Sequence, residues 1–289
     1  MDPAVPPVTV ATINGARLAF QEFGPRDAPA IVLVAGGASP MDWWDEEFCL
    51  LLAAGDAVSG PRRVIRYDLR DTGQSETVAP GAAGYTGSDL VDDLAALIEF
   101  AEAAPAHVVG LSLGGALVQR LALRRPELLA SVTLMSTTPV GDAGVALPPP
   151  TAQLTAEPPA VDWADPEAVG AAFVDAERLY SGTIPVDENR IRRIAAAFLA
   201  RSSSPASAEN HWMIADGPEP RTGPITLPTL VVHGSHDPLF PLPHGERLAE
   251  LIPGSRLVVV PGVGHQNPPP PAWPQIVGEI LRHSRGGRD

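Results

Sequence analysis

A serine hydroxyl attacks a carbonyl only when a neighbouring base takes its proton, and that base needs an acid to orient it. The 289-residue sequence frames one serine for this task, Ser112 in Gly110-Leu111-Ser112-Leu113-Gly114. The apolar Val108-Val109 before it reads as a buried strand and the residues after it as a helix, so Ser112 falls on the sharp bend between them. Glycines at 110 and 114 leave room for such a bend, where a side chain would crowd the strained turn. Gly-x-Ser-x-Gly also arises by chance, so the partners decide its meaning. In an open parallel sheet, reacting groups gather beyond the carboxyl ends of the strands. Asp237 follows the apolar run 230–233, within Gly234-Ser235-His236-Asp237-Pro238, and His265 follows 257–260, within Pro261-Gly262-Val263-Gly264-His265. The reading is Ser112 as nucleophile, His265 as base and Asp237 as orienting acid. Other histidines are weaker candidates. His233 would end a strand inside the sheet, and His236 adjoins the acid itself. His107, His211, His244 and His283 have no strand-end setting and are expected to be structural or exposed.

Attack on a carbonyl creates a tetrahedral oxyanion, which needs preorganised N–H donors. One is expected from Leu113, the residue after the nucleophile, and one from the loop Ala35-Gly36-Gly37-Ala38-Ser39-Pro40 after an earlier strand. Gly37 is the choice there, with Gly36 and Ala38 as alternatives. Asp68, after the strand 64–67, is expected to brace this loop together with Arg70. Met41, Trp43, Trp44, Met135, Phe173, Tyr180, Trp212 and Met213 are apolar candidates for a substrate pocket. For any one of them alone, core packing is the commoner fate.

The elements that must position these groups follow from periodicity. Residues 8–13 and 17–22 read as strands joined across Asn14-Gly15, a hairpin signal. Strands follow at 30–34, 64–67, around 108, 128–136, 229–233 and 256–260. Helices are expected to about residue 54, over 88–102 with Ser88 or Asp89 as N-cap, over 113–124, over 243–251 and from 274. This alternation argues for an α/β fold with a mostly parallel central sheet flanked by helices. It breaks at residues 139–224, which open with proline-rich stretches (Pro148-Pro149-Pro150, Pro158-Pro159) and carry only helix signals, with Asp165 and Asp187 as caps. That segment reads as a helical cap inserted into one domain, whose core comprises residues 1–138 and 225–289.

Composition narrows the partners. With a net charge of −14 the chain would repel nucleic acid and anionic lipid. Its one cysteine, Cys49, permits no internal disulfide. No stretch has the length and apolarity of a membrane span, and the start lacks the pattern of a signal peptide, so a cytoplasmic location is expected.

In their order and spacing, Ala35-Gly36-Gly37, Asp68-Leu69-Arg70-Asp71-Thr72-Gly73-Gln74-Ser75, Gly110-Leu111-Ser112-Leu113-Gly114-Gly115, Gly234-Ser235-His236-Asp237-Pro238 and Gly262-Val263-Gly264-His265 resemble the α/β-hydrolase superfamily. The resemblance covers nearly the whole chain. Met41-Asp42-Trp43-Trp44 after the glycine loop, and Arg66-Tyr67-Asp68 running into Arg70, look like the aclacinomycin methylesterase group. That group hydrolyses the carbomethoxy ester of anthracycline polyketides, and its relatives include broader carboxylesterases. The resemblance implies a serine-dependent esterase for a bulky, fairly apolar small-molecule ester, working without a cofactor. Ala35 stands where many members place histidine, which leaves a backbone oxyanion donor untouched. The superfamily's serine triad also serves lyases and other non-hydrolytic enzymes, and the fold serves ligand receptors.

Overall fold

The computed structural model describes residues 5–141, 143–154, 160–217 and 223–285. Pro158-Pro159 and the first four residues lie outside the described residues. The hairpin signal is met by β1 (Thr9–Ile13) and β2 (Ala16–Phe23), which pair antiparallel. Asn14 and Gly15 take φ of 51° and 75°, the left-handed pair that a type I′ turn requires.

Next come β3 (Ala30–Val34), β4 (Arg63–Tyr67), β5 (Ala106–Leu111), β6 (Leu129–Met135), β7 (Thr229–Gly234) and β8 (Arg256–Val260). The eight strands form one sheet in the order β1-β2-β4-β3-β5-β6-β7-β8, parallel from β4 to β8. Strands β3, β4, β5 and β7 are buried at every position, as near-continuous apolar runs in a doubly covered parallel sheet should be. The pleat divides them between two cores. Val32, Val34, Val108 and Leu134 pack with α2 (Gly87–Phe100), α3 (Leu113–Arg124) and α6 (Pro243–Leu251). Ile31, Leu33, Val109 and Met135 pack with α1 (Glu46–Ala54) and α7 (Trp273–His283) on the other face. Helix α2 is capped two to three residues before Ser88 and Asp89, the residues expected to cap it. Thr86 is the N-cap, its hydroxyl accepting from Asp89 N–H while the Asp89 carboxylate accepts from Thr86 N–H, a reciprocal capping box.

Between β6 and β7 the described chain forms α4 (Pro166–Tyr180), α5 (Glu188–Arg201) and a 3-10 helix, Pro205–Trp212. Asp165 and Asp187 do cap the two α-helices, accepting from Glu167 N–H and Arg190 N–H. Sequence periodicity did not foretell the 3-10 helix. Val174, Ile191 and Ile194 make a small core of their own, against which Phe173 and Trp43 pack. Among the described residues no helix is long and apolar enough to cross a membrane.

Candidate active site

Strand β5 ends at Leu111 and α3 begins at Leu113, so Ser112 alone makes the turn, at φ 53° and ψ −117°. That left-handed backbone is uncommon for a residue with a side chain and lifts the Oγ out of the strand-helix corner. The corner is tight. A Cβ on residue 110 would come within 2.3 Å of the Gly114 carbonyl oxygen, and one on residue 114 within 2.5 Å of the Val34 oxygen. Ser112 N–H continues the sheet by donating to the Met135 carbonyl.

His265 Nε2 lies 2.9 Å from Ser112 Oγ, and Nδ1 lies 2.9 and 3.2 Å from the two Asp237 carboxylate oxygens. The bonds assign the tautomer: Nδ1–H donates to Asp237, leaving Nε2 to accept a hydrogen bond from the Ser112 hydroxyl. Asp237 Oδ1 also accepts from Leu239 N–H and Phe240 N–H, so the loop after β7 holds the carboxylate by contacts that do not involve the histidine. The Phe240 ring meets the imidazole edge-to-face at 5.3 Å, and His265 N–H donates to the Tyr180 carbonyl at the end of α4. His265, Asp237 and Ser112 thus come from three strand ends and are brought together as the spacing suggested.

The other histidines fall elsewhere. His233 is buried and donates from Nε2 to the Phe240 carbonyl, with its ring pushed below the ordinary histidine pKa by burial. His236 is exposed against Ser235, and His244 spans Thr138 and the Pro148 carbonyl. His107 sits between Ser131 and Thr133, where burial holds it neutral, and His283 faces backbone carbonyls.

The loop after β3 lies beside the serine: a Cβ on Gly36 would be 3.5 Å from the Ser112 Cβ. Ala38 N–H is committed to His211 Nδ1. Among the described residues neither Gly37 N–H nor Leu113 N–H has an acceptor within the protein. Asp68 does brace the loop, its carboxylate accepting from Met41 N–H and Gln74 N–H, but its cationic partner is Arg201 of α5. Arg70, expected beside it, instead forks onto Asp93 of α2.

Ser112 and His265 open onto a cavity of about 520 Å³, within the range of small-molecule sites. Trp43, Phe173, Tyr180 and Trp212 line it. Met41, Trp44 and Met135 do not, which corrects the sequence reading. Met41 and Trp44 are fully buried, Trp44 against Phe48, and Met135, the last residue of β6, lies in the core. Met213 points away, 60% exposed. Sequence reasoning missed Trp163, Leu179, Glu177, Gln266 and Asn267, which also line the cavity. Burial pushes the Glu177 carboxyl above the usual carboxylate range, and Gln266 Nε2 donates to it. Gln266 and Asn267 follow His265 directly, a position that could have flagged them.

Ser112 on a tight strand-helix turn, His265 and Asp237 beyond successive strand ends and hydrogen-bonded in line with it, and a cavity above them are features of one class of fold. The family described as the alpha/beta hydrolase fold matches residues 29–268, and the chain belongs to it. The chain is 32% identical to rhodomycin D methylesterase DauP of Streptomyces sp. (strain C5), over 90% of this chain and 92% of that protein. It is 31% identical to rhodomycin D methylesterase DnrP of Streptomyces peucetius, over the same shares. Among solved structures, a hydrolase from Pseudomonas aeruginosa PA01 is similar at a TM-score of 0.69 and 28% identity, covering 96% of this chain and 97% of that one.

Proposed function

We propose that this chain, a hydrolase acting on carboxylic ester bonds, cleaves the methyl ester of a bulky, largely apolar polycyclic molecule of polyketide type through an acyl-enzyme on Ser112. The observation that carries the mechanism is the unbroken hydrogen-bonded line Ser112 Oγ–His265–Asp237 at the floor of the cavity. The substrate class rests on similarity to two rhodomycin D methylesterases and on a cavity with room for a fused-ring ligand.

In the first half-reaction Ser112 Oγ bonds to the ester carbonyl carbon as its proton passes to His265 Nε2. The carbonyl oxygen becomes an oxyanion, received by Gly37 N–H and Leu113 N–H, with the N-terminus of α3 adding its dipole. The bond to the methoxy oxygen then breaks, and His265 returns the proton so that methanol leaves. Water repeats the sequence on the acyl-serine and releases the acid. Asp237 keeps the imidazole in the required tautomer and stabilises its cation. Residues 139–224 serve as the cap that walls the substrate from solvent and selects it.

Two measurements test this. Turnover of small, long-chain and polycyclic methyl esters should rank the polycyclic ester first by kcat/KM; activity confined to acetyl esters would reject the methylesterase assignment. Ser112→Ala should lower kcat by about 10⁶ while the melting temperature holds. Unchanged hydrolysis by that variant would reject Ser112 as nucleophile.

A further inference from the structure

His211, on the 3-10 helix Pro205–Trp212, does not line the cavity and takes no part in the proton transfers above. It is nevertheless 5% exposed and bonded at both ring nitrogens. Nδ1 accepts from Ala38 N–H at 2.8 Å, and Nε2–H donates to the Arg70 carbonyl at 2.7 Å. Together they require the neutral Nε2–H tautomer, and burial lowers the ring's pKa in the same direction.

The Ala38 contact falls on the peptide that matters. The Gly37 carbonyl accepts from Ser39 Oγ at 3.1 Å, so the Gly37–Ala38 peptide plane is gripped at its oxygen by Ser39 and at its N–H by His211. The preceding plane, which carries the Gly37 N–H, is held only at its oxygen, where Gly36 accepts from Ser39 N–H at 3.3 Å. Ala38 sits at φ 54°, an uncommon conformation for alanine that its surroundings must impose. Gly36, Gly37 and Ala38 have almost no side chain with which to pack, so hydrogen bonds to the peptide planes set the loop's shape. Trp212, next to His211, rests its ring where a Cβ on Gly37 would come within 3.0 Å, which adds a lateral stop.

We infer that His211 is a positioning residue for catalysis: by clamping the Gly37–Ala38 peptide from the inserted segment, it presets Gly37 N–H toward the oxyanion. The inference rests on the reading of Ser112 as nucleophile and Gly37 as donor. It makes the segment between β6 and β7 part of the transition-state machinery as well as a wall of the pocket.

The test uses isosteric replacements in the full chain, assayed on the best methyl ester. Asparagine places its Oδ1 near the position of histidine Nδ1 and can accept from Ala38 N–H; glutamine places its Nε2 near histidine Nε2 and keeps only the bond to Arg70. Outright removal of an oxyanion donor costs about 10² to 10³ in kcat. A donor left in place but loosely held should cost less, so His211→Ala is expected to lower kcat about 10- to 100-fold with KM within about twofold. His211→Asn should recover most of that loss, His211→Gln little of it, and inactivation by an aryl phosphonate should slow in parallel with kcat. Melting temperatures of all three variants separate loop positioning from general destabilisation. Full kcat in His211→Ala, or recovery that follows melting temperature rather than the acceptor at Nδ1, would overturn the inference while leaving Ser112 as nucleophile. Failure of a fluorophosphonate to label Ser112 in the unmodified protein would instead overturn the parent reading, and this one with it.

Discussion

Asp237 accepts three hydrogen bonds, from Leu239 N–H, Phe240 N–H and His265 Nδ1–H, and donates none. An amide in its place must turn a donor toward one of these groups. Asp237→Asn should therefore drive His265 into the wrong tautomer and lower kcat by about 10⁴ with the fold intact, which steady-state kinetics and a melting curve would register together. A wild-type rate would dismiss Asp237 as the acid. Ser112, Asp237 and His265 were legible in the sequence because each sits at a strand end, where a short apolar run followed by a small-residue loop is itself the signal. Residues whose role depends on which way a side chain turns were not. Trp43 and Trp44 are neighbours, yet one lines the cavity and the other is sealed against Phe48. His211 was still less legible, because its partner Ala38 lies far along the chain and nothing local marks the contact.

At the scale of elements, the segment between β6 and β7 is tied to the loops after β3 and β4 by charge as well as by packing. Arg201, at the end of α5, pairs with Asp42 and with the fully buried Asp68, the same carboxylate that receives Met41 N–H below the glycine loop. Arg190 of the same helix pairs with Asp45 just before α1. Removing one member of a buried pair strands the other charge and costs about 3 to 5 kcal/mol. Arg201→Met should approach the lower end, since the backbone donors still serve Asp68; a denaturation midpoint like that of the parent would show the tie to be idle. Helices α4 and α5 were readable from their aspartate caps and apolar spacing. The 3-10 helix after them was not, since its short repeat leaves no 3.6-residue pattern. Helix α2 was readable in body but not in cap, because Thr86 and Asp89 act as a reciprocal pair.

Across the whole molecule, burial pushes four histidines below their ordinary pKa of 6.5: His107 within the sheet, His211 under the glycine loop, His233 beside Asp237 and His283 at the end of α7. Unfolded chains protonate such histidines below about pH 6.5, whereas the folded protein leaves them neutral there. The unfolded state then binds more protons, so stability rises with pH, is complete above pH 7, and falls as the pH drops through about 6.5. Each histidine contributes up to about 1.4 kcal/mol per pH unit in that window. Urea midpoints should be flat from pH 7 to 8 and decline toward pH 5.5, and His107→Gln should shallow the decline by one proton's worth. A flat profile in both proteins would contradict the burial argument. The sheet itself was the most legible feature, since its buried parallel strands each carry a short apolar run, residues 31–34 and Val108-Val109 among them. The tie between α4 and His265 is of another kind. His265 N–H reaches the Tyr180 carbonyl, and Thr183 N–H reaches the Gly262 carbonyl, through main-chain atoms alone, at a crossing so close that a Cβ on Gly264 would come within 2.2 Å of the Tyr180 oxygen. Any amino acid except proline at 183 can make these bonds. The lining side chains of α4 can therefore drift, or be randomised in a library, to admit new esters without dislodging His265 from its place beside Ser112.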